Sequence, residues 1–311
     1  MTNRQAYMII AHHDIPLLKK LVGALDIPEH DIYIHFDKAH YTDEVRTVTA
    51  SNANLTIVSE IAVHWGSYSM IRCELLLLRL ATQTPHSYYH LLSGDDLPLK
   101  SAREIYEFFE NTDKQYVQFC EPELPRRFYD WVYYVHISRE RFRTGKGILK
   151  PLNAWYHFAD KTGVRVQKLL GLKKEKKYFP KVQKGFQWFS ITEDFAKYIL
   201  SMEREIEEDF GYTYIPDETV IPTVLLNSPF LKDQAAPEKY NSPEQIMRFI
   251  DWSRGGPYTF TIEDLNLLKN SGCMFARKFS SAKDSEIIDA LTKKVCARGK
   301  VFSWTQIKTN N

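Results

Sequence analysis

Five short apolar runs in the first 120 residues are separated by stretches with helical spacing, and this alternation restricts the chain to few folds. Residues 7–11, 31–36, 54–58, 88–92 and 116–120 carry the β-branched and aromatic side chains that suit strands. Between the first two, Leu17, Leu18, Leu21 and Leu25 recur at helical intervals, and residues 68–81 form a longer apolar helical pattern. Strand–helix–strand order predicts an α/β fold with a mostly parallel central sheet flanked by helices on both faces. Ligands of such sheets sit beyond the C-terminal strand ends. The loops there are polar: His12-His13-Asp14, Asp37-Lys38, His64-Trp65-Gly66 and Gly94-Asp95-Asp96.

The second half predicts a strand at 185–191, a helix capped by Thr192, an acidic helix near 203–209 and a capped helix from Thr261. No linker interrupts the chain. We expect one unit built of a nucleotide-binding half, 1–120, and an acceptor-binding and catalytic half, 121–311. Within the second half, the acidic pair Asp217-Glu218 follows Pro216 and opens an apolar run. Proline suits a first helical turn, and carboxylates there meet the positive end of the helix dipole.

The net charge of +2 conceals a basic insertion. Residues 139–184 hold 14 Lys/Arg against 3 Asp/Glu, while the rest holds 27 against 36. The segment is read as a solvated insertion, as a contact for an anionic membrane surface or lipid-linked phosphate, or, third, as a nucleic-acid contact. No recognised nucleic-acid module surrounds it, so no nucleic-acid partner is expected. Cys73, Cys120, Cys273 and Cys296 lack metal-site spacing and are expected to be reduced. The N-terminus lacks a signal-peptide core, and no apolar run is long enough to span a bilayer. A cytoplasmic protein, in places peripheral on the membrane, is expected.

Absent motifs narrow the chemistry: the chain has no GxxxxGK[ST] loop, no strand-linked GxGxxG and no GxSxG elbow. His12-His13 could ligate a metal, but adjacent side chains diverge. Asp95-Asp96 has three readings: a divalent-ion site, hydrogen bonds to a ligand, or a strand-end turn capping its own amides.

Four fragments in order resemble the Core-2/I-branching enzymes, glycosyltransferase family 14, which includes peptide O-xylosyltransferases. Ile10-Ala-His-His-Asp with Asp31-Ile-Tyr-Ile-His-Phe-Asp-Lys38 is similar to that family's first strand and His-x-Asp strand end. Ser93-Gly-Asp-Asp-Leu-Pro-Leu-Lys100 resembles its Gly-x-Asp-x-Pro loop, and 216–230 its catalytic stretch. Gly256-Pro-Tyr-Thr-Phe-Thr-Ile-Glu-Asp-Leu265 with Phe275-Ala-Arg-Lys-Phe279 resembles its closing signature.

The resemblance implies a GT-A fold and inverting transfer of a GlcNAc-type or xylose-type sugar from a UDP-sugar to a hydroxyl. The acceptor would be an oligosaccharide or lipid-linked glycan, in surface polysaccharide synthesis. It implies Glu218 as base, with Lys278 and, one residue out of register, Arg254 facing the donor diphosphate in place of a metal. Arg277 is expected to turn away into a surface ion pair. His12, Asp37, Trp65 and Gly66 are candidates for the nucleotide. Asp95, Asp96, Gln187, Trp188 and Asp217 are candidates for the donor and acceptor pocket, although the family strand carries Asp or Ser more often than glutamine at Gln187. No cofactor is expected. Two alternatives stay open: a metal-dependent enzyme using Asp95 and Asp96, and a catalytically silent sugar-nucleotide- or glycan-binding protein.

Overall fold

A computed structural model describes residues 4–136 and 150–297. Its strands are β1 (Gln5–Ala11), β2 (His30–Phe36), β3 (Asn54–Val58), β4 (Tyr88–Ser93), β5 (Leu97–Pro98), β6 (Tyr116–Val117), β7 (Phe189–Thr192), β8 (Arg248–Ile250) and β9 (Phe275–Arg277). Six form a sheet in the order β3-β2-β1-β4-β7-β6, and three form a smaller sheet, β5-β9-β8. Strands β3, β2, β1 and β4 are parallel, as crossover connections require; β7 is the reversed strand, pairing antiparallel with β4 on one side and β6 on the other.

Strand β1 is buried along nearly its whole length, and its side chains divide by parity. Tyr7, Ile9 and Ala11 enter one core with Leu17, Leu18, Leu21 and Leu25 of helix Ile15–Leu25 and with Ile287, Ile288 and Leu291 of helix Ser285–Ala297. Ala6 and Met8 enter the other, with helices Ser69–Ala81, Glu193–Ser201 and Val220–Leu226. Each buried leucine contributes roughly 1.5–3 kcal/mol, so these stripes hold the helices in place far more than local propensity does. Both cores draw on both halves of the chain.

The expected strand at 116–120 ends at Val117 because the next groups bond elsewhere. Phe119 N–H donates to the Gln245 side chain at 3.2 Å, and Cys120 N–H to Lys184 C=O at 2.8 Å. The strand expected from Gly185 begins at Phe189, since Gly185 N–H donates to Glu218 C=O at 2.8 Å. Arg248 ties the sheets together. It is buried, and its guanidinium donates to Ile246 C=O at 2.7 Å, Leu91 C=O at 2.8 Å and Phe189 C=O at 2.7 Å. Burial lowers its pKa to about 10.

Residues 139–149 of the basic insertion lie outside the described residues; 150–169 form a helix. Cys73, Cys120 and Cys273 are free thiols, while the Cys296 side chain lies outside the described residues. Among the described residues no helix is long and apolar enough to cross a membrane.

Candidate active site

The C-terminal ends of β1, β2 and β4 open into a cleft of about 330 Å³, within the range of small-molecule sites. Ile10, Ala11, His12, Asp37, Ser93 and Asp95 line its strand side, and Gln187, Trp188, Asp217, Glu218, Trp252 and Arg277 its other walls. Trp65, His40, Val63, Met70, Phe186 and Pro257 complete the lining.

Asp37 is buried, and its carboxylate organises the loop after β2. Oδ1 accepts from Ala39 N–H at 3.1 Å and Val63 N–H at 3.0 Å, and Oδ2 meets His40 Nδ1 at 2.6 Å. Burial alone would raise its pKa; these hydrogen bonds outweigh burial and lower it. The His12 ring lies 4.1 Å from that of His13 and 6.0 Å from that of His40. Partial desolvation and the neighbouring His13 lower the His12 pKa.

Pro216–Glu218 form a separate 3₁₀ turn ahead of helix Val220–Leu226, so the acidic pair precedes that helix instead of opening its first turn. Ile215, at φ 51°, turns the chain into it, and Ile215 N–H bonds Gly66 C=O at 3.0 Å. The two carboxylates then meet different surroundings. Asp217 is buried, and burial followed by the charge of Glu218 raises its pKa to about 7. Glu218 is more open and forms an ion pair with the buried Lys184. Gly185 permits that pairing: a Cβ there would lie 2.0 Å from Gln118 C=O.

Behind Asp217 sits Glu74, fully enclosed on helix Ser69–Ala81. Gln187 donates to it at 2.9 Å, and burial followed by Asp217 drives its pKa well up. Its other oxygen, like Asp217 Oδ1, is buried without a hydrogen-bond partner.

The cationic residues depart from expectation. Arg277 lines the cleft, stacks over Trp188 at 4.1 Å and lies 3.5 Å from Asp96, with its side chain 14% exposed. It does not turn outward. Neither Lys278 nor Arg254 is among the lining residues. Arg254 is held away by Asp251 at 2.6 Å and Asp264 at 2.8 Å, and stacks over Tyr258 at 3.8 Å. Asp96 and Gly66 also stand back from the cleft. Asp96 accepts from Ser93 N–H at 3.0 Å, and burial raises its pKa to about 6. Gly66 packs on Tyr214, where a Cβ would fall 2.7 Å from the ring. His12, Asp37, Trp65, Asp95, Gln187, Trp188, Asp217 and Glu218 do converge. Sequence reasoning missed Glu74, Lys184, His40 and Trp252. Only Glu74 left a signal, as a lone carboxylate inside the apolar pattern 68–81. No group of three or more metal-ligating side chains converges among the described residues.

The family described as Core-2/I-branching enzyme matches residues 5–269, a stretch that holds all but one of the cleft-lining residues. The chain belongs to the Core-2/I-branching enzyme family. The exception is Arg277, just past the matched stretch. This Core-2/I-branching chain is 25% identical over 313 residues to Xylosyltransferase 2 of Rattus norvegicus, covering 93% of the chain and 33% of that protein. Xylosyltransferase 1 of Homo sapiens is 23% identical over 312 residues, which cover 30% of it. The Homo sapiens protein named beta-1,3-galactosyl-O-glycosyl-glycoprotein beta-1,6-N-acetylglucosaminyltransferase is 22% identical over 322 residues, 92% of the chain and 68% of that protein. The chain spans about a third of the length of the xylosyltransferases it matches.

Proposed function

We propose that the chain is an inverting, metal-independent glycosyltransferase that moves a xylose-type or GlcNAc-type sugar from a UDP-sugar to a hydroxyl of a glycan acceptor. The observation that carries this reading is that Glu218 and Arg277, far apart in sequence, line one cleft at the strand ends. The names of the relatives support the two donor classes.

The reaction needs a base for the acceptor hydroxyl and positive charge for the departing diphosphate. Glu218 takes the hydroxyl proton. The acceptor oxygen bonds to the sugar's anomeric carbon from the face opposite the phosphate. The bond from that carbon to the phosphate oxygen breaks, and its electron pair leaves with UDP. Lys184 orients Glu218 by holding one carboxylate oxygen and leaving the other for the acceptor. Arg277, fixed by Trp188 and Asp96, offers the diphosphate a guanidinium fork that needs no metal beside it. Asp95, the cleft-lining member of the acidic pair, is left to hydrogen-bond the donor, since Asp96 is engaged with Arg277 and the Ser93 amide. Trp65 and Trp252 are exposed aromatic walls suited to stacking on the nucleobase and sugar rings.

The test is UDP release from a panel of UDP-sugars over an oligosaccharide acceptor set, with and without EDTA. Turnover unaffected by EDTA and lost by at least about a thousandfold in Glu218→Gln, with UDP binding intact, is expected. Activity that needs Mn²⁺ would transfer the diphosphate role to a metal at Asp95. UDP binding without turnover on any acceptor would make the chain a binding protein.

A further inference from the structure

The helix Lys150–Leu169 leaves large apolar side chains in solvent. Its inward face holds polar anchors beside the buried Val164. Asp160 pairs with His136 Nδ1 at 3.0 Å, and Gln167 bonds the Val135 N–H at 2.8 Å and C=O at 3.0 Å. Its outward face is apolar: Trp155, Phe158, Val166 and Leu169 are 61%, 66%, 47% and 87% exposed. At 100° per residue these four fall within a stripe about 80° wide and roughly 20 Å long. Leu170 and Leu172, also exposed, extend it past the helix end. Single exposed apolar side chains are ordinary; a stripe of them, broken here only by Thr162, marks a contact surface.

Charge identifies the partner. Lys161 and Arg165 are exposed along one border of the stripe, and Lys173 and Lys177 follow it. Lys173 and Lys177 also make exposed surface pairs with Glu175 and Glu208, so Lys161 and Arg165 carry more of the net charge of this face. Asp160 is the only acidic residue from 150 to 172, and it faces inward. A second copy of this chain laid on the same face would oppose its own cations.

We propose that this face docks flat on an anionic lipid bilayer, with the tryptophan, phenylalanine and leucines in the headgroup boundary and the basic side chains on lipid phosphates. A line of rings links the surface to the cleft: helix Tyr129–Tyr133, which leads directly to His136, carries Trp131; Trp131 lies 5.1 Å from Tyr214, and Tyr214 lies 5.9 Å from the cleft-lining Trp65. The proposal goes beyond glycosyl transfer and stands without it.

Co-sedimentation of the full chain with vesicles of phosphatidylcholine, alone or mixed with phosphatidylglycerol, tests it. Binding to the mixed vesicles that weakens with salt, and little binding to the neutral ones, is expected. Trp155→Ser/Phe158→Ser/Leu169→Ser should lose at least about tenfold in binding, and Lys161→Gln/Arg165→Gln about fivefold per charge removed. All these side chains are exposed, so both variants should keep the parent Tm and any shift of Tm with UDP. No binding to anionic vesicles overturns the proposal. So does undiminished binding by the triple variant, or light scattering that shows a dimer dissolved by it.

Discussion

Asp217 and Glu218 are adjacent in sequence, yet one is enclosed while the other meets Lys184. The folded pKa of Asp217, about 7, lies above its ordinary 3.8, so the folded chain binds that proton more tightly than the unfolded one. Its stability contribution is therefore full below about pH 4 and is lost as pH rises to about 7. Asp217→Asn removes that loss. Its unfolding free energy should gain on the parent's from pH 4 to 8, by on the order of a few kcal/mol, as urea unfolding across that range would report. A second expectation concerns the cations. Arg277→Gln should raise the KM for the donor by at least about tenfold, as steady-state kinetics would show, while Arg254→Gln leaves it near the parent value. His12, Asp37, Trp65 and Asp95 were legible as residues with chemistry on strand-end loops, and Glu218 as a carboxylate following Pro216 in a stretch that resembles the family's. The choice between Arg277 and Lys278 was not, because β9 is only three residues long and its periodicity says nothing about which of two neighbours faces the cleft.

Among elements, those whose pattern repeats were legible. The runs behind β1 to β4 and the helices Ile15–Leu25 and Ser69–Ala81 fall within two residues of expectation, because one or both faces are buried and the spacing records it. The short pieces failed: β6 and β7 are cut back by side-chain and loop hydrogen bonds that no local pattern encodes. Strands β5, β8 and β9, two or three residues each, carry too few side chains to show a period. Two substitutions test element-level arguments. Helix Ala102–Glu110 starts from a complete capping box between Ser101 and Glu104, so Ser101→Ala should cost about 1 kcal/mol in urea unfolding with an unchanged m-value. Gly185→Ala sets a methyl against Gln118 C=O. It should cost at least about 2 kcal/mol and, by shifting Lys184, depress turnover more than the stability loss explains.

For the whole molecule, the α/β class was legible from strand–helix alternation, whereas the second sheet was not, since it joins segments more than 150 residues apart. Arg248 makes that union specific. Arg248→Lys keeps the charge but loses the fork, leaving two or three carbonyls unpaired, and should destabilise by on the order of 3 kcal/mol in chemical denaturation. The same arginine fixes an order of events during biosynthesis. The first four strands can pair while the ribosome still holds the remainder, but the wall bearing Arg277 closes only after residues 248–250 and 275–277 have emerged, when β9 pairs with β5 and β8 and Arg248 grasps Leu91 and Phe189. Under the function proposed above, nucleotide affinity is thus a late-acquired property, and any fragment ending upstream of that arginine should hold secondary structure while ignoring uridine nucleotides altogether.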